Sequence, residues 1–206
     1  MEHKKIYACS LTNFLNKKIE EKFLIKTEKS FLTVEKFDDY DILVECVKDI
    51  AQKNLLIHNP KIFLYGKEAT QHRSIGFFSN ESVGYWYSGQ LAKSQPLTDY
   101  LSVILDKVNE HFKADFNGIL VNRYENGKDY IGKHSDDERF LSSIGVVAIS
   151  YGAVRKFRIR KKEIVGEQLK EIFPVIDIPT ISGEMIHMGG DFQKEFTHEI
   201  PIEKKV

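Results

Sequence analysis

Apolar positions change their spacing along this chain, and the change divides it. From Tyr40 to about Lys53, Ile42, Leu43, Cys46, Val47 and Ile50 recur at helical intervals, which predicts an amphipathic helix. Leu97, Leu101, Ile104, Leu105, Val108 and Phe112 mark one face of a second helix. Pro96 would sit in its first turn, and it would end near His111–Lys113. Between the two, Leu55–Ile57 and Lys61–Tyr65 read as short extended pieces broken at Asn59-Pro60. Gln71–Gln90 is rich in glycine, serine and aromatics, which predicts a shaped surface loop and hairpin instead of core. Residues 1–38 mix Lys and Glu with Phe, Leu and Ile without a clear period. They predict a short helix and strand, or a loose extension.

After Asp115 the period shortens to alternation. Phe116–Tyr124, Ile144–Tyr151, Lys156–Lys161, Phe173–Ile178 and Gly183–Met188 are strand candidates, with Gly152 as a hairpin turn between the second and third. Short strands following two helices predict an α+β, mainly β chain: a jelly roll with the helices packed on one side. The expected organisation is an N-terminal extension over residues 1–38 and one domain over residues 39–206.

Composition narrows the setting more than the chemistry. A chain of 206 residues suffices for one sizeable core. Thirty basic residues balance thirty acidic ones, so a nucleic-acid partner would have to meet a local basic patch. The two cysteines, Cys9 and Cys46, belong to no CxxC or Cys/His cluster, which argues against a disulfide framework and for a reducing compartment. No apolar run resembles a signal peptide or a membrane span. A monomer in the cytoplasm or nucleus, with no membrane partner, is the expectation.

The densest chemistry lies in NRYENGKDYIGKHSDDE, from Asn122 to Glu138. It reads as a strand, a turn at Asn126-Gly127 and a returning strand that carries His134 and Asp136. Side chains two apart on an extended strand share a face, so these two can close on one ion. With His198 further on, they would complete two imidazoles and a carboxylate, the donor set that holds iron with positions left open. The same residues also suit solvated turns and a surface histidine. His187 reads as a strand residue in or beside the core. Lys156, Arg158, Arg160 and Lys162 belong to the one dense basic run and share a strand face. That face suits phosphate contact, or plain solvation.

The run NRYxxGxDxIGxHxDDE, then SxGAxRxFxxRxK and HxxPxxKKV, resembles the AlkB family of Fe(II)- and 2-oxoglutarate-dependent dioxygenases. Within it, the chain is similar to the branch acting on N-alkylated bases in double-stranded DNA. The likeness runs from about Tyr40 to Val206. It implies a double-stranded β-helix, which agrees with the jelly roll. It also implies oxidative dealkylation: O2 is consumed, 2-oxoglutarate becomes succinate, and the hydroxylated methyl leaves as formaldehyde. His134, Asp136 and His198 match the family's catalytic iron ligands, and Asn122 and Tyr124 its co-substrate contacts. Tyr87 matches a position that stacks on an extruded base, with Tyr85 and Trp86 flanking it. Asp137 lies where the family approaches the base, and Glu138 follows it. Ile75 stands where the family has a second lid aromatic.

Family members carry two arginines shortly beyond the KKV-like segment, one pairing with the far carboxylate of 2-oxoglutarate. The sequence stops at Val206. We therefore expect an incomplete end, lacking those arginines and the last strand. A nucleic-acid-binding module without turnover, or an oxygenase acting on protein or a small molecule, are the competing classes.

Overall fold

The computed structural model describes residues 23–64, 66–87, 90–136, 143–165 and 168–205. In chain order the elements are β1 (Phe23–Lys26), β2 (Ser30–Lys36), α1 (Tyr40–Gln52), β3 (Ile57–His58), β4 (Lys61–Leu64), β5 (Lys67–Thr70), β6 (Ser74–Phe78), β7 (Gly84–Tyr87) and β8 (Gln90–Gln95). There follow α2 (Asp99–Phe112), β9 (Ile119–Arg123), β10 (Ile131–His134), β11 (Val146–Ile149), β12 (Lys156–Val165), β13 (Gln168–Pro179), β14 (Glu184–Gly190), α3 (Phe192–Glu195) and β15 (Phe196–Ile200). They fall into two units. One holds the chain to Asp38 with Lys133–Glu199, the other Asp39–Gly132 with Ile200–Val206.

The first unit is the jelly roll that alternation predicts, built of two open sheets. One runs β1-β2-β14-β11 and the other β10-β15-β12-β13. Residues 23–36, for which the sequence offered no firm reading, supply β1 and β2, and β2 pairs antiparallel with β14 along its whole length. Met185, Ile186, His187, Met188 and Gly189 are all buried, because β14 is central in its sheet and covered on both faces. Residues 1–22 lie outside the described residues.

Gly152 makes no hairpin. Its φ of +102° suits a sharp turn, but the strands on either side pair elsewhere: β11 with β14, β12 with β13 and β15. The turn passes the chain from one sheet to the other. Gly145, at φ +88°, answers a different need, since a side chain there would run into the Met188 carbonyl oxygen. Short α3 touches β2 and β14 of one sheet and β12 of the other. Its Phe192 stacks on Phe196 at 4.7 Å, and both rings are buried.

In the second unit, α1 and α2 pack on each other. Asp39 caps α1 by accepting from the Ile42 N–H at 3.2 Å. Thr98 does the same for α2 toward Leu101, at 3.3 Å. With that cap in place α2 begins at Asp99, so Pro96 precedes the helix instead of opening its first turn. The cysteine of α1, Cys46, is buried, and burial, with Asp49 adding to it, pushes the thiol up to about 11. A thiol so raised stays protonated at neutral pH and is a poor nucleophile.

The stretch expected to be a surface loop and hairpin does lead into the antiparallel pair β7–β8, but it also contains this unit's central strand. All five residues of β6 are buried, with β9 antiparallel along its length and β3 and β8 also paired to it. Two of the aromatics that suggested a shaped surface, Phe77 and Phe78, are core side chains here, Phe78 being fully buried. Asn126 does form the expected turn, accepting from Lys128 N–H through its side chain at 2.9 Å. The strands it joins are not partners, however: β9 pairs with β6, and β10 lies beside β15. Among the described residues, no helix is long and apolar enough to cross a membrane.

Candidate metal centre

His134 ends β10, Asp136 follows two residues later, and His198 lies in the middle of β15. Neighbouring strands thus bring together residues far apart in sequence. His134 Nε2 is 3.7 Å from Asp136 Oδ1, and His198 Nε2 is 3.4 Å from Asp136 Oδ2. These separations exceed a good hydrogen bond and suit donors that share one ion. One ligand atom from each residue falls within 4.8 Å of the others. Two imidazole nitrogens and a carboxylate oxygen are the donor set expected for Fe(II) with open positions.

The strand period alone does not place Asp136, because β10 stops at His134 and residues 135 and 136 leave the ladder. Side-chain bonds hold them instead. The Ser135 hydroxyl donates to the Phe196 carbonyl at 2.7 Å, and the Asp136 N–H donates to Gln193 Oε1 at 2.9 Å. Lys162 Nζ donates to Ser135 Oγ at 3.1 Å and to the Gln193 carbonyl at 2.9 Å. His198 is 4% exposed, and its Nδ1 is buried with no hydrogen-bond partner among the described residues. Phe157 stacks on its ring at 5.1 Å and 26°, and the His134 ring lies 4.4 Å away. His187 is a core strand residue as expected, its Nε2 donating to the Ile144 carbonyl at 2.6 Å.

On the outer part of β12 the basic residues are engaged. Arg158 makes a two-pronged pair with Asp177, Nε to Oδ1 at 2.7 Å and Nη2 to Oδ2 at 2.8 Å. That hydrogen bond, with the Arg158 charge, holds the Asp177 carboxyl below its ordinary range despite some desolvation. Arg160 Nη1 bonds Glu199 Oε1 at 2.7 Å, and Lys156 is exposed. Lys162 is turned toward the HxD segment and is no member of an outward row.

In the second unit, Asn122 lies on β9 and Tyr124 just past its end, both half-buried. Arg73, only 4% exposed, donates from Nε to Asn122 Oδ1 at 2.8 Å. That bond occupies the amide oxygen, so the amide nitrogen is the end left to donate. Tyr85, on β7, is half-buried and tilted against Phe77 at 5.8 Å. The side chains of Trp86 and Tyr87, and all of Asp137 and Glu138, lie outside the described residues.

Sequence reasoning missed Arg73 and Gln193 and gave Ser135 no role. Gln193 sits in DFQKE, which reads as a polar surface turn, and nothing in that run signals burial. Arg73 follows Gln71-His72 in a stretch read as loop. Strand alternation did single out Lys162 but assigned it to the wrong neighbours.

The model of the 2OG-Fe(II) oxygenase superfamily matches residues 38–206. DNA oxidative demethylase ALKBH2 from Mus musculus is 31% identical over 147 residues, covering 71% of this chain and 62% of that protein. The Homo sapiens form is also 31% identical over 147 residues, covering 56% of its length. Alpha-ketoglutarate-dependent dioxygenase alkB homolog 3 from Homo sapiens is 33% identical over 105 residues, covering 50% of this chain and 37% of that protein. The chain thus spans less than two thirds of the length of each of these relatives.

Proposed function

The chain belongs to the 2OG-Fe(II) oxygenase superfamily, and from that premise we propose that it removes alkyl groups oxidatively from N-alkylated bases of nucleic acid, DNA first. The reaction consumes 2-oxoglutarate and O2 and yields succinate, CO2, formaldehyde and the restored base. Its relatives named as DNA oxidative demethylases support that substrate class. The single observation that carries the proposal is the convergence of His134, Asp136 and His198.

Those three residues would hold Fe(II), which supplies the activation of O2 and the oxidation of the alkyl carbon. The protein's own work is orientation. Asn122, its oxygen fixed by Arg73, presents an N–H donor of the kind a carboxylate of 2-oxoglutarate accepts. Tyr124 joins it as the second co-substrate contact. A base must leave the duplex to reach a metal, and Tyr85 and Tyr87 are the residues we assign to stack on it. Stacking of this kind is worth about 1–3 kcal/mol per base. Asp137 and Glu138 are assigned to the base edge, and Lys156, Arg158 and Arg160 to phosphate. The setting is a monomer in the nucleus or cytoplasm.

A second reading has an observation of its own. Arg158 and Arg160 already hold carboxylates, which would suit an oxygenase whose substrate is a protein or small molecule. Incubation with Fe(II), 2-oxoglutarate and an N-methylated oligonucleotide, with formaldehyde assayed, separates the two. Formaldehyde that vanishes in His134→Ala is the expected result. No formaldehyde from the oligonucleotide, at saturating 2-oxoglutarate, would remove the first reading and leave the second.

A further inference from the structure

We propose that Lys162 and Gln193 are positioning residues that pre-set the metal centre by clamping the His134–Asp136 segment to the strand that carries His198. The inference rests on the metal-centre reading above and extends it to residues that touch no ligand atom of the metal.

The need for a clamp follows from the backbone. β10 ends at His134, so sheet hydrogen bonds fix the first ligand but not the third residue of the motif. A short polar stretch beyond a strand end is ordinarily mobile, and a ligand on it would have to be ordered each time a metal bound. Here the ordering is already done. Gln193 is buried and accepts the Asp136 N–H through Oε1, while its Nε2 donates toward Met188 Sδ at 3.7 Å. Both ends of the amide are used, so its orientation is determined. The Ser135 hydroxyl donates to the carbonyl of Phe196, two residues before His198, and this joins the two ligand-bearing segments directly.

Lys162 ties the arrangement together. Its ammonium donates at once to Ser135 Oγ and to the main-chain carbonyl of Gln193. β12, which carries it, is also the strand paired with β15, at Ile159 opposite His198 and Arg160 opposite Thr197. One lysine therefore links the strand beside His198, the residue between the other two ligands, and the helix that holds Asp136. A solvated surface lysine would make none of these bonds, and a glutamine that merely filled space would not need its oxygen on the Asp136 amide.

The test is Mn(II) binding by the full chain, followed by electron paramagnetic resonance, with thermal unfolding of the metal-free protein alongside. Gln193→Leu and Lys162→Met should each raise the Kd for Mn(II) about tenfold, the lower end of what loss of a ligand's supporting partner costs. Gln193→Glu keeps an acceptor for the Asp136 N–H and should stay within about threefold of the unaltered chain. A role in general stability would instead lower the metal-free unfolding temperature and leave the Kd of the folded protein alone. If Gln193→Leu does not fold, Lys162→Met decides by itself. Mn(II) affinity unchanged in every folded variant overturns the proposal while the metal centre stands. Absence of Mn(II) uptake by the unaltered chain would remove both.

Discussion

Two groups of polar side chains lie on or beside one sheet, and their distances differ in kind. In the arginine row of β12, the guanidinium–carboxylate contacts are about as short as a hydrogen bond allows: 2.7 Å for Arg158 with Asp177 and 2.7 Å for Arg160 with Glu199. Around Asp136 the imidazole nitrogens stand at 3.4 and 3.7 Å. The first group has settled its electrostatics internally. The second holds its donors at spacings that an ion, not a proton, would bridge. Charge density along a strand therefore says little about function until its pairing is known.

The strongest way to break this contrast is to remove the carboxylate at the centre. Asp136→Ala should cost more metal affinity than the loss of any residue behind it, hence more than about 100-fold, by Mn(II) titration. Retention of metal within tenfold would mean the three donors do not act together. Next comes Glu199→Gln, which takes the charged partner from Arg160 in a pair whose side chains are only 21% and 16% exposed. A loss of about 1–3 kcal/mol in unfolding free energy is expected, with a smaller effect on Mn(II) than Asp136→Ala. If stability holds and metal affinity falls instead, the arginine row belongs to the site.

The smallest effect should come from Asp177→Asn, and its sign is informative. Freed from its partner, Arg158 becomes available to phosphate, so duplex DNA should bind slightly more tightly, with a salt slope steeper by about one. Arg158→Ala should do the reverse. The same pair has a pH signature. Because the folded carboxyl titrates below its ordinary value, its contribution to stability is present above about pH 4 and is lost as pH falls through the lowered value. About a third of the Asp177 side chain is exposed, so screening leaves a few tenths of a kcal/mol, seen as a shallower acid slope in Asp177→Asn.

Much of this was legible in the residues. Both long helices follow from apolar spacing, and the jelly-roll class follows from the shift to alternation. The metal triad needed the longer motif around His134, since an isolated HxD is equally at home in a solvated turn. Pairing was not legible. Gly152 and Asn126-Gly127 look like hairpin turns, but local sequence fixes only that the chain reverses, not which strand receives it. β6 was misread because a central strand covered on both faces loses the alternation that marks a strand. Gln193 is a polar residue whose importance lies wholly in its tertiary partners, so spacing carries no trace of it, and for Lys162 spacing shows the residue but not its partners.

The Phe157 ring against His198 has one more consequence. Buried against the Phe157 ring at 5.1 Å and the His134 imidazole at 4.4 Å, the histidine is restrained in its present rotamer. Its Nε2 is aimed before any metal arrives. Loading should then be governed by how fast the ion sheds water, with scarcely any lag for the protein to rearrange, and the empty and filled sites should superimpose at this residue.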